Sequence, residues 1–143
     1  MWRFAPAVRM PVVSYLIMIE KKSRILIAED FEDNRTALTL ILEYAGFDVI
    51  EVENGRQAVE AVRREEPDLV LMDVTLPVVD GLQATREIRS EERFERLPII
   101  ILSAHDSDEV RRQAAEAGGS EYLSKPFEVA ELKRLIDGCL TVA

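Results

Sequence analysis

Short runs of aliphatic residues alternate with longer stretches of helical periodicity along most of this chain, and this alternation constrains its fold more than any other feature. Five runs rich in Val, Ile and Leu, at 24–28, 48–52, 68–72, 99–102 and 121–123, have the length and composition of buried β-strands. Parallel strands require crossover connections, which are usually helices. The pattern therefore predicts an α/β fold built from five βα units.

The stretches between these runs have the spacing of amphipathic helices. In the first of them Leu38, Ile41 and Leu42 would share one face. Right-handed crossovers and the chain length favour a flavodoxin-like, doubly wound (βα)5 fold with a parallel five-stranded sheet of order 2-1-3-4-5. In that order the first and third strands are neighbours at the topological switch point, where ligands bind beyond the carboxyl ends of the strands. We therefore expect the functional site at the ends of these two strands.

The length of 143 residues suits one domain, which we predict to span residues 23–143. Residues 1–22 differ from the rest because they hold four basic residues and one acidic residue. Their apolar run at 12–19 is too short to cross a bilayer. We predict that residues 1–22 are a flexible N-terminal extension or reflect a mis-assigned start, since Met10 and Met18 could each begin a complete domain.

The net charge indicates which partners the protein can bind, and the cysteine content indicates the redox state of its compartment. There are 18 basic and 27 acidic residues, a net charge of −9, which opposes direct binding to nucleic acid. Cys139 is the one cysteine, so no internal disulfide can form, and its apolar surroundings predict a buried hydrophobe. These features favour a cytoplasmic protein that binds neither nucleic acid nor membrane.

Two of the predicted strands lead into acidic residues. Glu29 and Asp30 follow the first strand, and Asp73 follows the third. Three carboxylates in one crevice would raise one another's pKa unless a cation lies among them. Mg²⁺ suits such an open oxygen site, whereas Zn²⁺ would require a cluster of Cys or His ligands that this sequence does not offer. For Asp30 the alternative is capping of the first helix.

Two other strand ends supply hydrogen-bond donors. Ser103 lies at the end of the predicted fourth strand, and Lys125 follows the fifth. A hydroxyl and an ammonium suit the oxygens of a phosphoryl group, and the Asp73 carboxylate is a nucleophile that can form an acyl phosphate. Since phosphoryl transfer needs mainly positioning and charge neutralisation, these residues together predict a phosphorylation site.

With these motifs the chain, from Ser23 to about Leu140, resembles the receiver domain of bacterial response regulators, in particular the stand-alone, chemotaxis-regulator-like type. Each motif falls at the end of a predicted strand, and the motifs occur in the order of that family. They are Glu29-Asp30, Asp73, the turn Leu76-Pro77-Val78-Val79-Asp80-Gly81, Ser103-Ala104 and Lys125-Pro126-Phe127.

The resemblance assigns a role to each residue of the site. It implies that Asp73 accepts the phosphoryl group and coordinates Mg²⁺ together with Asp30, while Glu29 acts mainly through water. Thr75 would provide a backbone carbonyl to the metal, and its side chain would help to set the lifetime of the phosphoryl group. Lys125 would pair with the phosphoryl oxygens. Glu29 departs from the commoner Asp of the family.

The resemblance also implies a conformational switch. Ser103 would be the switch hydroxyl and Tyr122 the aromatic switch residue, although ordinary half-buried packing remains an alternative for Tyr122. His105, the sole histidine, would tune the access of water to the acyl phosphate or would be a solvated loop residue. A cis peptide bond is expected between Lys125 and Pro126.

The implied partners are proteins. The phosphodonor would be a sensor histidine kinase or a histidine phosphotransfer protein, and the output would be contact with an unknown downstream protein by a monomer or weak dimer. No enzymatic activity is implied beyond the Mg²⁺-dependent phosphorylation and dephosphorylation of the protein itself.

Three other functions remain open from the sequence. A degenerate receiver would bind partners constitutively, but the intact acceptor, acids, hydroxyl and lysine argue against it. An aspartyl-phosphate phosphatase would need a second Asp where Thr75 stands. A flavin-binding flavodoxin would need a phosphate-binding loop where Glu29 and Asp30 stand, and these acids would repel phosphate.

Overall fold

The computed structural model of the protein describes residues 11–13 and 22–141. Strands and helices alternate from Arg24 to Thr141, and a short 3-10 helix (Glu92–Phe94) follows the third helix. The strands are β1 (Arg24–Ala28), β2 (Asp48–Val52), β3 (Leu69–Asp73), β4 (Ile99–Ser103) and β5 (Glu121–Ser124). The helices are α1 (Glu32–Tyr44), α2 (Gly55–Glu65), α3 (Gly81–Arg89), α4 (Asp108–Ala117) and α5 (Val129–Thr141).

The five strands form one parallel sheet of order β2-β1-β3-β4-β5, which confirms the predicted flavodoxin-like topology. Adjacent pairing of β1 with β3 begins at Ile25 and Leu69. The carboxyl ends of these two strands therefore lie side by side at the switch point, as the sequence predicts.

The third strand is shifted by one residue from its predicted position, and the fourth and fifth extend one residue further. Asp73 pairs with Leu102, and Ser103 pairs with Ser124, so these polar residues lie within the sheet. Asp68 precedes β3, and its carboxylate accepts a hydrogen bond from the backbone N–H of Arg24 at 2.8 Å. Backbone pairing continues into the site because it does not depend on whether a side chain is polar.

The sheet is covered on both faces, as its strand sequences require. In β3 the side chains alternate, with Leu69 and Leu71 in one core and Val70 and Met72 in the other, and all four are fully buried. Helices α1 and α5 cover the first face, and α2, α3 and α4 cover the second. Burial on both faces explains the uninterrupted aliphatic runs of the central strands.

Cys139 is half-buried rather than fully buried, so the prediction of a buried position is corrected. It lies on α5 at the edge of the core between that helix and the sheet. Burial raises the pKa of its thiol, and the nearby charge of Glu121 acts in the same direction. The thiol is therefore held in its neutral form, as in a packing residue.

The predicted extension at residues 1–22 lies outside the described residues except for residues 11–13 and 22. In those described parts Val12 and Val13 are exposed. No helix among the described residues is both long and apolar enough to cross a membrane.

Candidate functional site

The carboxyl ends of β1, β3 and β4 bring three buried polar side chains to one edge of the sheet. Glu29, directly after β1, is 2% exposed; Asp73, the last residue of β3, is 6% exposed; and Ser103, the last residue of β4, is 2% exposed. Buried ionisable groups are costly unless they have partners. Their position after strands of aliphatic residues therefore indicates a functional site.

Lys125 links the two carboxylates. It follows β5 directly, and its Nζ atom contacts Asp73 Oδ2 and lies 3.4 Å from Glu29 Oε1. The Lys125–Pro126 peptide bond is cis, as the resemblance predicts. The other carboxylate oxygen of Asp73, Oδ1, accepts a hydrogen bond from the backbone N–H of Thr75 at 2.9 Å. Both oxygens of Asp73 are thus oriented by the surrounding chain.

The carboxyl group of Glu29 is only partly satisfied by hydrogen bonds in this cluster. Asn34 Nδ2 donates to Glu29 Oε1 at 2.8 Å, but the buried Oε2 atom has no hydrogen-bond partner among the described residues. Burial and the neighbouring Asp73 carboxyl raise the pKa of Glu29 to about 7, although Asn34 and Lys125 oppose this rise. An orphaned, desolvated carboxylate oxygen beside a second carboxylate is the environment that a cation relieves.

The Lys125 ammonium remains charged in this environment. Burial alone would lower its pKa, but the hydrogen bond to Asp73 and the charges of Asp73 and Glu29 outweigh burial and raise the pKa above its usual value. A permanent positive charge therefore lies directly beside the Asp73 carboxylate.

Asp30 is exposed, whereas the other two carboxylates of the predicted set, Glu29 and Asp73, are buried. Across residues 11–13 and 22–141, no three carboxylate, imidazole or thiol groups are placed as a ready-made metal cage. The role of Asp30 beside Glu29 and Asp73 therefore stays a prediction. The capping alternative for Asp30 is not supported, because α1 begins after Phe31 and has no side-chain cap.

The turn after β3 holds the start of α3 directly against Asp73. The backbone N–H of Gly81 donates to the carbonyl of Val74 at 2.9 Å, and Asp80 caps α3 by accepting from the N–H of Gln83 at 2.8 Å. A Cβ atom at position 81 would lie 1.8 Å from the carbonyl oxygen of Asp73. Only glycine allows this approach, which explains the end of the Leu76–Gly81 motif.

The predicted switch residues converge on the backbone of a third residue. Ser103 Oγ donates to the carbonyl of His105 and accepts from its N–H, both at 3.0 Å. The hydroxyl of Tyr122 donates to the same carbonyl at 2.9 Å. The structure thus connects Ser103 to Tyr122 through the main chain of His105, whose side chain is exposed.

Two residues that contact Glu29 were not predicted from the sequence. Asn34 has the residue type expected near the start of a helix, but its side chain donates a hydrogen bond to Glu29. Arg35 also lies in the first turn of α1, and its Nη1 atom donates to the carbonyl of Glu29 at 3.0 Å. The sequence carries no clear signal for these two contacts, because Glu29 precedes α1 and the spacing rule for neighbouring residues of one helix does not apply to it.

The sequence of this chain is similar to those of known signalling proteins. The family model described as the response regulator receiver domain matches residues 25–137. Protein PilH of Pseudomonas aeruginosa is 35% identical over 118 residues, which cover 82% of this chain and 98% of PilH. Response regulator MprA of Mycolicibacterium vanbaalenii is 38% identical over 109 residues, or 76% of this chain but only 46% of MprA. The chain thus spans nearly all of one relative and about half of the other.

A similar solved structure carries a metal. The receiver domain of a sensor histidine kinase from Pseudomonas aeruginosa PAO1 is 41% identical, with a TM-score of 0.79, and the match covers 84% of this chain and 98% of that one. That crystal structure has a magnesium ion coordinated in its active-site cleft. The residues that the family model matches, 25–137, include Glu29, Asp73, Ser103 and Lys125.

Proposed function

The chain belongs to the response regulator receiver domain family, and on this basis we propose that it accepts a phosphoryl group on Asp73. The observation that carries the proposal is the buried Asp73 carboxylate in contact with the Lys125 ammonium at the carboxyl edge of the sheet. A nucleophile beside a fixed positive charge is the arrangement that phosphoryl transfer requires.

The reaction follows from these groups. A carboxylate oxygen of Asp73 would attack the phosphorus atom of a phosphohistidine, and the phosphorus–nitrogen bond would break to release the histidine of the donor. Lys125 would neutralise charge on the phosphoryl oxygens, and the Thr75 N–H would hold the carboxylate in place. Such transfer depends chiefly on positioning and on neutralising charge, so few residues are needed.

We propose Mg²⁺ as the cofactor. The orphaned Oε2 of Glu29, the raised pKa of that group and the oxygen-only donor set fit a hard divalent cation. Asp73, Asp30, Glu29 through water and the backbone carbonyl of Thr75 would hold it. When bound, Mg²⁺ would supply positive charge for the transferring phosphoryl group. The magnesium ion in the related receiver domain supports this proposal.

The output would be a change of protein-binding surface. Ser103 would turn from the backbone of His105 toward the phosphoryl group, and Tyr122 would occupy the space it leaves. A phosphoryl group adds up to about two negative charges, which can bias a two-state element whose states differ by roughly a few kcal/mol. The imidazole of His105, exposed near this point, would tune the access of water to the acyl phosphate.

The partners are proposed by chemical class. The donor would be a sensor histidine kinase or a histidine phosphotransfer protein, and the target would be an unknown downstream protein bound by a cytoplasmic monomer or weak dimer. The protein would have no catalytic activity beyond its own phosphorylation and dephosphorylation. A net charge of −9 disfavours direct binding to nucleic acid.

Intact-mass spectrometry tests this function. The wild-type protein is incubated with acetyl phosphate and Mg²⁺, beside a sample with a chelator and beside the Asp73→Asn variant. We expect one phosphoryl adduct on the wild type with Mg²⁺ and none on the other two samples. A folded wild type that acquires no adduct would favour the alternative of a degenerate receiver that binds its partners constitutively.

A further inference from the structure

The short loop between β1 and α1, residues 29–31, carries the acidic pair Glu29 and Asp30. The backbone N–H of Glu29 donates to the carbonyl of Val52 on β2 at 3.2 Å. No backbone N–H of the described residues donates to the carbonyl of Glu29 or of Asp30, and α1 begins after Phe31 without a side-chain cap. The carbonyls of the acidic pair therefore depend on side chains for their protein partners.

The side chain of Arg35 reaches back to these carbonyls from α1. Its Nη1 atom donates to the carbonyl of Glu29 at 3.0 Å and lies 3.5 Å from the carbonyl oxygen of Asp30. The same guanidinium thus meets two successive peptide units of the loop. It takes the place of the backbone hydrogen bonds that neither β1 nor α1 supplies there.

The other nitrogen atoms of Arg35 are anchored on the neighbouring strand. Nε lies 3.4 Å from Oε1 of Glu51 on β2, and Nη2 lies 3.3 Å from Oε1 of Glu53, which follows β2. The side chain of Arg35 is only 11% exposed. A guanidinium is planar and holds its donors in fixed directions, so anchorage on β2 restricts where the carbonyls of the loop can lie.

We propose that Arg35 is a positioning residue for the metal site, which fixes the backbone of Glu29 and Asp30 and thereby holds their carboxyl groups ready for Mg²⁺. The proposal rests on the proposed function, because Mg²⁺ is the cofactor proposed above. Arg35 is not itself a ligand, since a guanidinium has only donors and no acceptor to offer a cation. It acts through the main chain of the two acids.

Positioning and charge predict opposite effects of Arg35 on metal binding. Like charges repel, so if Arg35 acted only by its charge, its removal would strengthen the binding of Mg²⁺. If it positions the acidic pair, its removal should weaken binding, because loss of an orienting partner outside the ligand shell lowers metal affinity by about tenfold or more. The direction of the change therefore separates the two.

NMR titration of backbone amides with Mg²⁺ measures the Kd and shows in the same spectra whether each variant is folded. We expect Arg35→Gln and Arg35→Lys to bind Mg²⁺ about tenfold more weakly than the wild type. Lysine keeps the charge, but one ammonium cannot replace the planar fork that joins the loop to β2. Arg63→Gln is the control, because Arg63 is an exposed arginine of α2 that pairs with Glu91 at 2.6 Å, and it should keep the wild-type Kd.

The dependence of phosphorylation on Mg²⁺ gives a second readout. With acetyl phosphate as donor, Arg35→Lys should need about tenfold more Mg²⁺ than the wild type for the half-maximal initial rate. The rate at saturating Mg²⁺ should be unchanged, because Arg35 contacts neither Asp73 nor Lys125 among the hydrogen bonds and ion pairs of the described residues. A general structural defect would lower the saturating rate instead.

Several results would overturn this role of Arg35. They are wild-type or tighter binding of Mg²⁺ by Arg35→Gln, wild-type affinity of Arg35→Lys, and an equal loss of affinity in Arg63→Gln. A lower saturating rate of Arg35→Lys with an unchanged Mg²⁺ requirement would also overturn it. A folded wild type that binds no Mg²⁺ would instead overturn the proposed cofactor, so the two failures are distinguishable.

Discussion

The ammonium of Lys125 contacts the carboxylate of Asp73 across β4, the strand that separates the strands of these two residues. Asp73 ends β3, and Lys125, 52 residues later, follows the outer strand β5. The side chain of Lys125 is only 21% exposed, so its charge is weakly screened by solvent. The contact therefore ties the loop after β5 to the proposed phosphoacceptor.

Replacement of this lysine tests the charge balance of the site. In Lys125→Met the buried carboxylates of Asp73 and Glu29 lose their cation, and we expect the free energy of unfolding to fall by about 1–3 kcal/mol without Mg²⁺. Added Mg²⁺ should restore more stability to the variant than it gives the wild type. Urea denaturation with and without Mg²⁺ measures both effects.

Lys133→Met is the matched control for that substitution. Lys133 is exposed on α5 and pairs with Asp137 at 3.1 Å, one helical turn away, so its loss should cost about 0–1 kcal/mol. Equal losses of stability for the two lysine variants would mean that the buried pair has no special role in the site.

The glycine beside the acceptor should not tolerate a side chain. Gly81→Ala would place a Cβ atom 1.8 Å from the carbonyl oxygen of Asp73, and we expect a loss of about 1–3 kcal/mol in unfolding free energy. Gly138→Ala is the control, since a Cβ atom there meets nothing within 4 Å inside α5. It should stabilise the protein by about 0.5–1 kcal/mol. Thermal or urea denaturation compares the two, and similar effects would contradict the close approach.

Val78 occupies a backbone conformation that favours glycine. Its φ angle is 70° and its side chain is 80% exposed, so the branched side chain gains little from packing. Val78→Gly should stabilise the protein by roughly 0.5–1 kcal/mol, because relief of left-handed strain exceeds the added entropy of the unfolded chain. Val78→Ala keeps a Cβ atom and should therefore stabilise the protein much less than Val78→Gly. A less stable glycine variant in urea denaturation would contradict the strain.

Asn34 should contribute to metal binding through Glu29. Its amide fixes Oε1 of Glu29 at 2.8 Å, and loss of such an orienting partner weakens metal affinity by about tenfold or more. Asn34→Ala should therefore bind Mg²⁺ more weakly in isothermal titration calorimetry. Thr36→Ala, an exposed position on the same helix, serves as the control. Unchanged affinity of Asn34→Ala would show that the amide does not orient the ligand.

The topology could be predicted because its signals are local and repeated. Aliphatic runs such as the one ending at Met72 fix burial on both sheet faces, and the handedness of crossovers limits the strand order. The positions of Glu29, Asp73 and Lys125 at the sheet edge follow from that order, although their roles remain predictions.

The parts that could not be predicted depend on side-chain direction. Asp30 follows Glu29 in the sequence, yet one is exposed and the other buried. Asn34 is of a residue type that commonly caps helices, but its side chain donates a hydrogen bond to the carboxylate of Glu29. The stacking of Arg111 on Tyr122 joins a helix to a strand 11 residues away, and no periodic pattern specifies such a contact.

Chemical mapping of the acceptor tests the central claim most directly. Reduction of an acyl phosphate with borohydride converts aspartate to homoserine, which peptide mass spectrometry can locate after treatment of the protein with acetyl phosphate and Mg²⁺. The account predicts homoserine at position 73 and at no other aspartate. Homoserine at position 30, or a stable phosphate ester on Ser103 with Asp73 unmodified, would contradict it.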